Sequence, residues 1–120
     1  MTRQLKAVAP AARGSQRAKI IISGGAGVGK TWFSLDFPSV YYIDVEGSAE
    51  RSHYAKKLEK SGGAYFGTAE GSQDLATVTE EVITLATVEH QYKTVVIDSF
   101  SKLYNIACYE AEARVGNDFG

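Results

Sequence analysis

The run Ile20-Ile21-Ile22-Ser23-Gly24-Gly25-Ala26-Gly27-Val28-Gly29-Lys30-Thr31-Trp32 constrains this chain more than any other stretch. A β-branched apolar run reads as a buried strand over residues 19–23. Four glycines then fall within six positions, followed by a lysine and a threonine. Residues from Lys30 to Phe37 read as a short helix that Pro38 ends, because the residue before a proline avoids the helical region. Gly24-x4-Gly29-Lys30-Thr31 fits G-x-x-x-x-G-K-[ST], the Walker A pattern, in its strand–loop–helix setting. Glycine permits positive φ, so consecutive backbone N–H groups can turn inward and form an anion nest. The helix start adds a partial positive charge. Phosphate binding is therefore expected over Gly24, Gly25, Ala26, Gly27, Val28, Gly29, Lys30 and Thr31. The Lys30 ammonium would reach the β- and γ-phosphates, and the Thr31 hydroxyl would ligate Mg²⁺. Trp32 either packs the helix onto a sheet, the favoured reading, or lies near the ligand.

The rest of the chain alternates strands and helices. Residues 40–45 read as a strand. A helix capped by Ser48 is expected to run to about Lys60. Residues 64–68 form a short strand weakened by Gly67. A helix capped by Ser72 carries Leu75, Val78, Val82 and Leu85 on one face. Residues 94–98 are a strong strand, and a last helix runs from Phe100 to about Val115. Such alternation implies βαβ units and a parallel sheet covered on both faces, an α/β fold of the P-loop nucleoside-triphosphatase type.

Two strands end in acids. The stretch "TVVIDS" has the Walker B form, an apolar strand closed by Asp98. In a parallel sheet, ligands lie beyond the carboxyl ends of the strands, so Asp98 is expected near the phosphate loop, holding Mg²⁺ through water. The stretch "VYYIDVEG" carries Asp44 and Glu46, which alternation puts on the same side. Glu46 would either position the water that attacks a γ-phosphate or act as a capping or surface glutamate.

Composition sets the outer limits. At 120 residues, with 44 % hydrophobic and 22 % charged residues, the chain is one domain or part of one. No apolar run approaches the roughly 18 residues of a membrane helix, and no secretory signal is visible, so a cytoplasmic protein is expected. The single cysteine, Cys108, excludes an internal disulfide and reads as a small helix hydrophobe. Residues 1–19 carry five basic side chains and no acid, against eight basic and fourteen acidic in the remainder. Residues 1–18 read as a flexible basic arm, either a solvated terminus or a contact for nucleic-acid phosphates, and residues 19–120 as the core.

"YYIDVEGSAERSHY" resembles the strand after the Walker A helix in RecA-type recombinases, where I-D-x-E carries the catalytic glutamate. "TVVIDSFSKL" resembles the Walker B strand of the same family. With the order Gly24–Thr31, Glu46, Asp98, the chain is similar over residues 19–118 to phage and prophage RecA-like ATPases, the AAA-type nucleotide-binding proteins of single-strand annealing and recombination. The Walker A motif alone is unspecific, whereas the triple constellation is specific.

The resemblance implies Lys30 and Thr31 for phosphate and Mg²⁺, Glu46 for the attacking water and Asp98 for Mg²⁺. It also implies ATP as nucleotide, single-stranded DNA as partner and a homo-oligomer with sites at subunit interfaces. An aromatic side chain near the base could be His53 or Tyr54, although a solvated helix face also accounts for both. In the family a further strand lies between the Walker A and Walker B strands. Residues 1–120 contain no such segment, so the chain is expected to be the N-terminal part of a larger protein. The expected activity is Mg²⁺-dependent ATP hydrolysis. The rivals are a small-molecule kinase, in which Asp44 or Glu46 would engage an acceptor hydroxyl, and a non-catalytic nucleotide-binding assembly module.

Overall fold

Among the described residues, three parallel strands organise the fold. The computed structural model describes residues 3–7, 17–50 and 52–119. Its elements are α1 (Lys30–Ser34), β1 (Val40–Asp44), α2 (Ser52–Lys60), β2 (Ala64–Phe66), α3 (Leu75–Thr87), β3 (Thr94–Asp98) and α4 (Phe100–Phe119), with 3₁₀ turns at Ser48–Glu50 and Thr68–Glu70. The strand order is β2-β1-β3. β1 pairs in parallel with both neighbours, Tyr42 standing opposite Tyr65 on one side and Val96 on the other. Parallel neighbours need crossover connections, which α2 and α3 supply.

The sheet has a core on each face. Val40 and Tyr42 project toward Leu35, Ala49 and Leu58, so α1 and α2 cover that side. Ile43 and Val45 project the other way, onto Val78 of α3 and Leu103 of α4. This two-sided burial explains why "VYYIDV" is apolar almost throughout instead of alternating. Each large side chain buried here contributes about 1.5–3 kcal/mol. The face of Leu75, Val78, Val82 and Leu85 forms as expected in α3, although Leu75 remains 43 % exposed at its first turn.

The expected strand over 19–23 does not form. Ile20, Ile21 and Ile22 carry no strand geometry and are 58, 97 and 42 % exposed. β-propensity becomes a strand only with a ladder partner for its backbone groups. β3 pairs with β1 alone, and among the described residues no strand pairs with its other edge. Two expected caps also move. The amides of Gly47 and Ala49 are accepted by Asp44, where Ser48 was expected to cap. Asp74 caps α3, accepting from the amide and hydroxyl of Thr77. These bonds, led by the Thr77 hydroxyl, hold the Asp74 carboxyl below its ordinary range. Ser72 is instead fully buried and donates to the Asp44 carbonyl at 2.6 Å.

Element ends shift for local reasons. α1 stops at Ser34 because the Asp36 amide turns back to the Phe33 carbonyl, tightening the last turn. β2 stops at Phe66 because the Gly67 amide donates to the Glu70 carboxylate. α4 runs through Gly116 to Phe119. Of the basic arm, residues 3–7, 17 and 18 have no regular secondary structure, and the others lie outside the described residues. Among the described residues, no helix is long and apolar enough to cross a membrane.

Candidate functional site

The carboxyl ends of β1 and β3 lie side by side, with Asp44 opposite Asp98. Above them runs the glycine loop, residues 24–29, exposed along its length. Gly27 and Gly29 take φ of +80° and +95°, the left-handed region that excludes most side chains. The Lys30 ammonium donates to the Gly24 and Gly25 carbonyls of this loop. The Thr31 hydroxyl donates to Asp98 Oδ2 at 2.7 Å across 67 residues of sequence. The structure thus brings Thr31 and Asp98 together at the foot of the loop.

Asp98 has a second partner. The hydroxyl of Tyr42 donates to the same Oδ2. Tyr42 is fully buried, and burial followed by the Asp98 hydrogen bond pushes its phenol far above the ordinary tyrosine range. Both donors meet on Oδ2.

Glu46 lies two residues beyond the end of β1 and is exposed; the strand expected over 40–45 ends one residue earlier, at Asp44. The amides of Val45 and Glu46 both donate to the Asp98 carbonyl, at 2.7 and 3.3 Å, so the turn is tied to β3. Ser99 Oγ donates to Glu46 Oε1 at 2.8 Å and accepts the Lys102 amide at 3.2 Å. Ser99 therefore caps α4 and directs its proton to Glu46.

Asp44 has a different fate from Glu46. It is completely buried, accepting from the Gly47 amide at 2.9 Å, the Ala49 amide at 3.0 Å and the Tyr65 hydroxyl at 2.7 Å. Its oxygens are committed to folding the turn that carries Glu46. An acceptor hydroxyl could bind Asp44 only by displacing these donors.

Trp32 does not pack α1 onto the sheet, as the favoured reading had it. It turns toward α2, 6.2 Å from His53 and 6.0 Å from Tyr54 between ring centroids, and stays 46 % exposed. Lys57 Nζ sits 3.8 Å above its ring, donates to the Trp32 carbonyl and pairs with Asp36 at 2.6 Å. His53 is exposed, as a solvated helix face requires, whereas Tyr54 packs against the core. Cys108 is half-buried on α4 with a free thiol.

Sequence reasoning missed Tyr42, Tyr65 and Ser99. The tyrosines needed the strand register, which no local pattern reveals. Ser99 had a signal, since a serine between a strand and a helix is a natural N-cap.

A parallel α/β sheet with a glycine-rich loop feeding its first helix defines a P-loop nucleotide-binding domain. Residues 16–117 match the family model described as AAA domain, and the chain belongs to that family. It is accordingly an AAA-type, nucleotide-binding ATPase domain. Comparison with curated proteins and with solved structures gave no match.

Proposed function

We propose that this domain binds ATP with Mg²⁺, hydrolyses it by in-line attack of water on the γ-phosphate, and acts as a homo-oligomer with single-stranded DNA in phage recombination or annealing. One observation carries the hydrolytic reading: the Thr31 hydroxyl and the Asp98 carboxylate meet at 2.7 Å below the loop, with Glu46 in the turn just past the neighbouring strand, its amide on the Asp98 carbonyl. The DNA partner rests on the resemblance of the I-D-x-E and I-D-S segments to phage RecA-like proteins. The donor set under the loop is hydroxyl and carboxylate oxygen only, which suits Mg²⁺. Among the described residues, no cluster of three or more His, Cys, Asp or Glu side chains offers a competing all-protein metal site. Bound there, Mg²⁺ supplies charge neutralisation on the phosphates.

The remaining roles belong to the chain. Loop amides of Gly24–Gly29 hold the phosphates. Lys30 exchanges its carbonyl partners for phosphate oxygens and stabilises the charge that develops on them. Glu46, whose Oε1 accepts from Ser99, positions the attacking water.

The test is phosphate release from ATP by the full-length protein, with and without single-stranded DNA. Release with ATP alone, stimulated by the DNA, is expected. Transfer only in the presence of an acceptor would establish a kinase instead, and binding without turnover an assembly module. The Ser99 contact adds a finer prediction. Ser99→Ala is expected to lower kcat roughly tenfold with KM for ATP unchanged, because the orientation of Glu46 is lost; the same change removes the α4 cap and should cost about 1 kcal/mol of stability. Ser99→Thr, which keeps the hydroxyl, should restore most of the rate in the same steady-state assay.

A further inference from the structure

The sheet repeats one diagonal contact. Tyr65 stands opposite Tyr42 on β1, yet its hydroxyl reaches Asp44, two residues further along that strand. Tyr42 stands opposite Val96 on β3, and its hydroxyl reaches Asp98, again two residues further along. Diagonal neighbours in a sheet are about 7–8 Å apart, a gap that long aromatic side chains span. Both tyrosines lie on the face covered by α1 and α2. The two contacts serve different ends. Tyr65 helps to fold a turn around a fully buried carboxylate. Tyr42 acts on a carboxylate that is only half-buried and that also touches Thr31.

We propose that Tyr42 is a positioning residue for the metal, holding Asp98 Oδ2 so that Oδ1 is the oxygen turned toward the cation. This rests on the reading that Thr31 and Asp98 attend Mg²⁺. Two donors on Oδ2 fix the rotation of the carboxylate about its last torsion. With the Tyr42 donor removed, only the Thr31 hydroxyl restrains it. That hydroxyl must at the same time offer its own oxygen to the metal, so Tyr42 is the restraint that does not change with loading. Tyr42 is buried in a cluster with Leu35, Val40, Ala49 and Leu58, so packing as well as the hydrogen bond orients its ring.

The experiment measures binding. A fluorescent, non-hydrolysable ATP analogue is titrated onto the full chain at rising Mg²⁺, and Mn²⁺ binding is followed by electron paramagnetic resonance. Tyr42→Phe is expected to raise the metal midpoint on the order of tenfold, the scale of lost outer-sphere contacts, with analogue binding in EDTA unchanged. Tyr65→Phe is the matched control and should leave the metal midpoint at the wild-type value. Asp98→Asn tests the underlying reading and should remove the metal dependence. A wild-type midpoint in Tyr42→Phe, with Asp98→Asn impaired, overturns the proposal alone. An equal shift in Tyr65→Phe also overturns it, since general loosening then accounts for the effect. Wild-type behaviour of Asp98→Asn overturns the metal assignment itself. Should Tyr42→Phe fail to fold, proton NMR of the unsubstituted protein decides. A slowly exchanging Tyr42 hydroxyl proton that shifts when Mg²⁺ and the analogue bind supports the contact, and one exchanging with bulk water overturns it.

Discussion

Glu46→Gln lowers ATP turnover by roughly 10²- to 10³-fold and leaves ATP affinity within about twofold of wild type; that is the outcome expected if Glu46 positions the attacking water. Gln matches Glu in size, and its amide oxygen still accepts from Ser99 Oγ, which lies 2.8 Å from Glu46 Oε1. The substitution therefore keeps the turn and removes the negative charge and basicity. Glu46 is exposed and outside the sheet, so the fold has little stake in its charge. Lys30→Ala provides the contrast, since it removes the phosphate-binding ammonium and should weaken binding itself. Phosphate release at saturating ATP and equilibrium binding of a fluorescent analogue separate the two effects. Unchanged turnover in Glu46→Gln would remove Glu46 from its assigned role and favour the capping reading of this glutamate.

The two acidic strand ends could be read in the sequence because each is a chemical exception in an apolar run. "TVVID" became β3 with the boundaries its pattern implied, since both faces of that strand meet other elements. Ile20–Ile22 looked equally strand-like and stayed unpaired. A β-branched run records a willingness to pair, and the partner is a property of the sheet. The caps failed for a related reason. Ser48 and Ser72 are both good cap residues close to a helix start, but Asp44 reaches over the first turn from the end of β1, and Asp74, an equally good cap, lies two residues closer to α3. Asp44 and Glu46 were alike on paper, both acids at one strand end. Burial separated them, drawing Asp44 into the turn and leaving Glu46 outside. The tyrosine contacts were beyond reach because they depend on register between strands more than twenty residues apart.

Asp44→Asn should therefore damage the fold more than any chemistry. The side chain is 0 % exposed, and its carboxylate receives only donors, two amides and a phenol. An asparagine of the same size offers one acceptor oxygen and one donor nitrogen. In either orientation its NH₂ faces a donor, leaving at least one buried N–H or O–H unpartnered. Losing a hydrogen bond to a charged group and stranding its donor costs about 3 kcal/mol. A domain of this size holds only about 5–15 kcal/mol in total. The urea midpoint should fall accordingly, and the melting temperature by roughly 10 °C. Tyr65→Phe removes one donor to the carboxylate and strands no N–H, so it should cost less, about 1.5–2 kcal/mol on the same scale. Asp98→Asn makes the same chemical change one strand away. Its carboxylate is half-buried and accepts hydroxyls, which can rotate to accept from an amide, so that variant should melt near wild type. Equal destabilisation by the two asparagines would refute the division of labour between them. A large drop confined to Asp44→Asn would place this aspartate in the scaffold that presents Glu46, and would remove the kinase reading's acceptor-binding role from it.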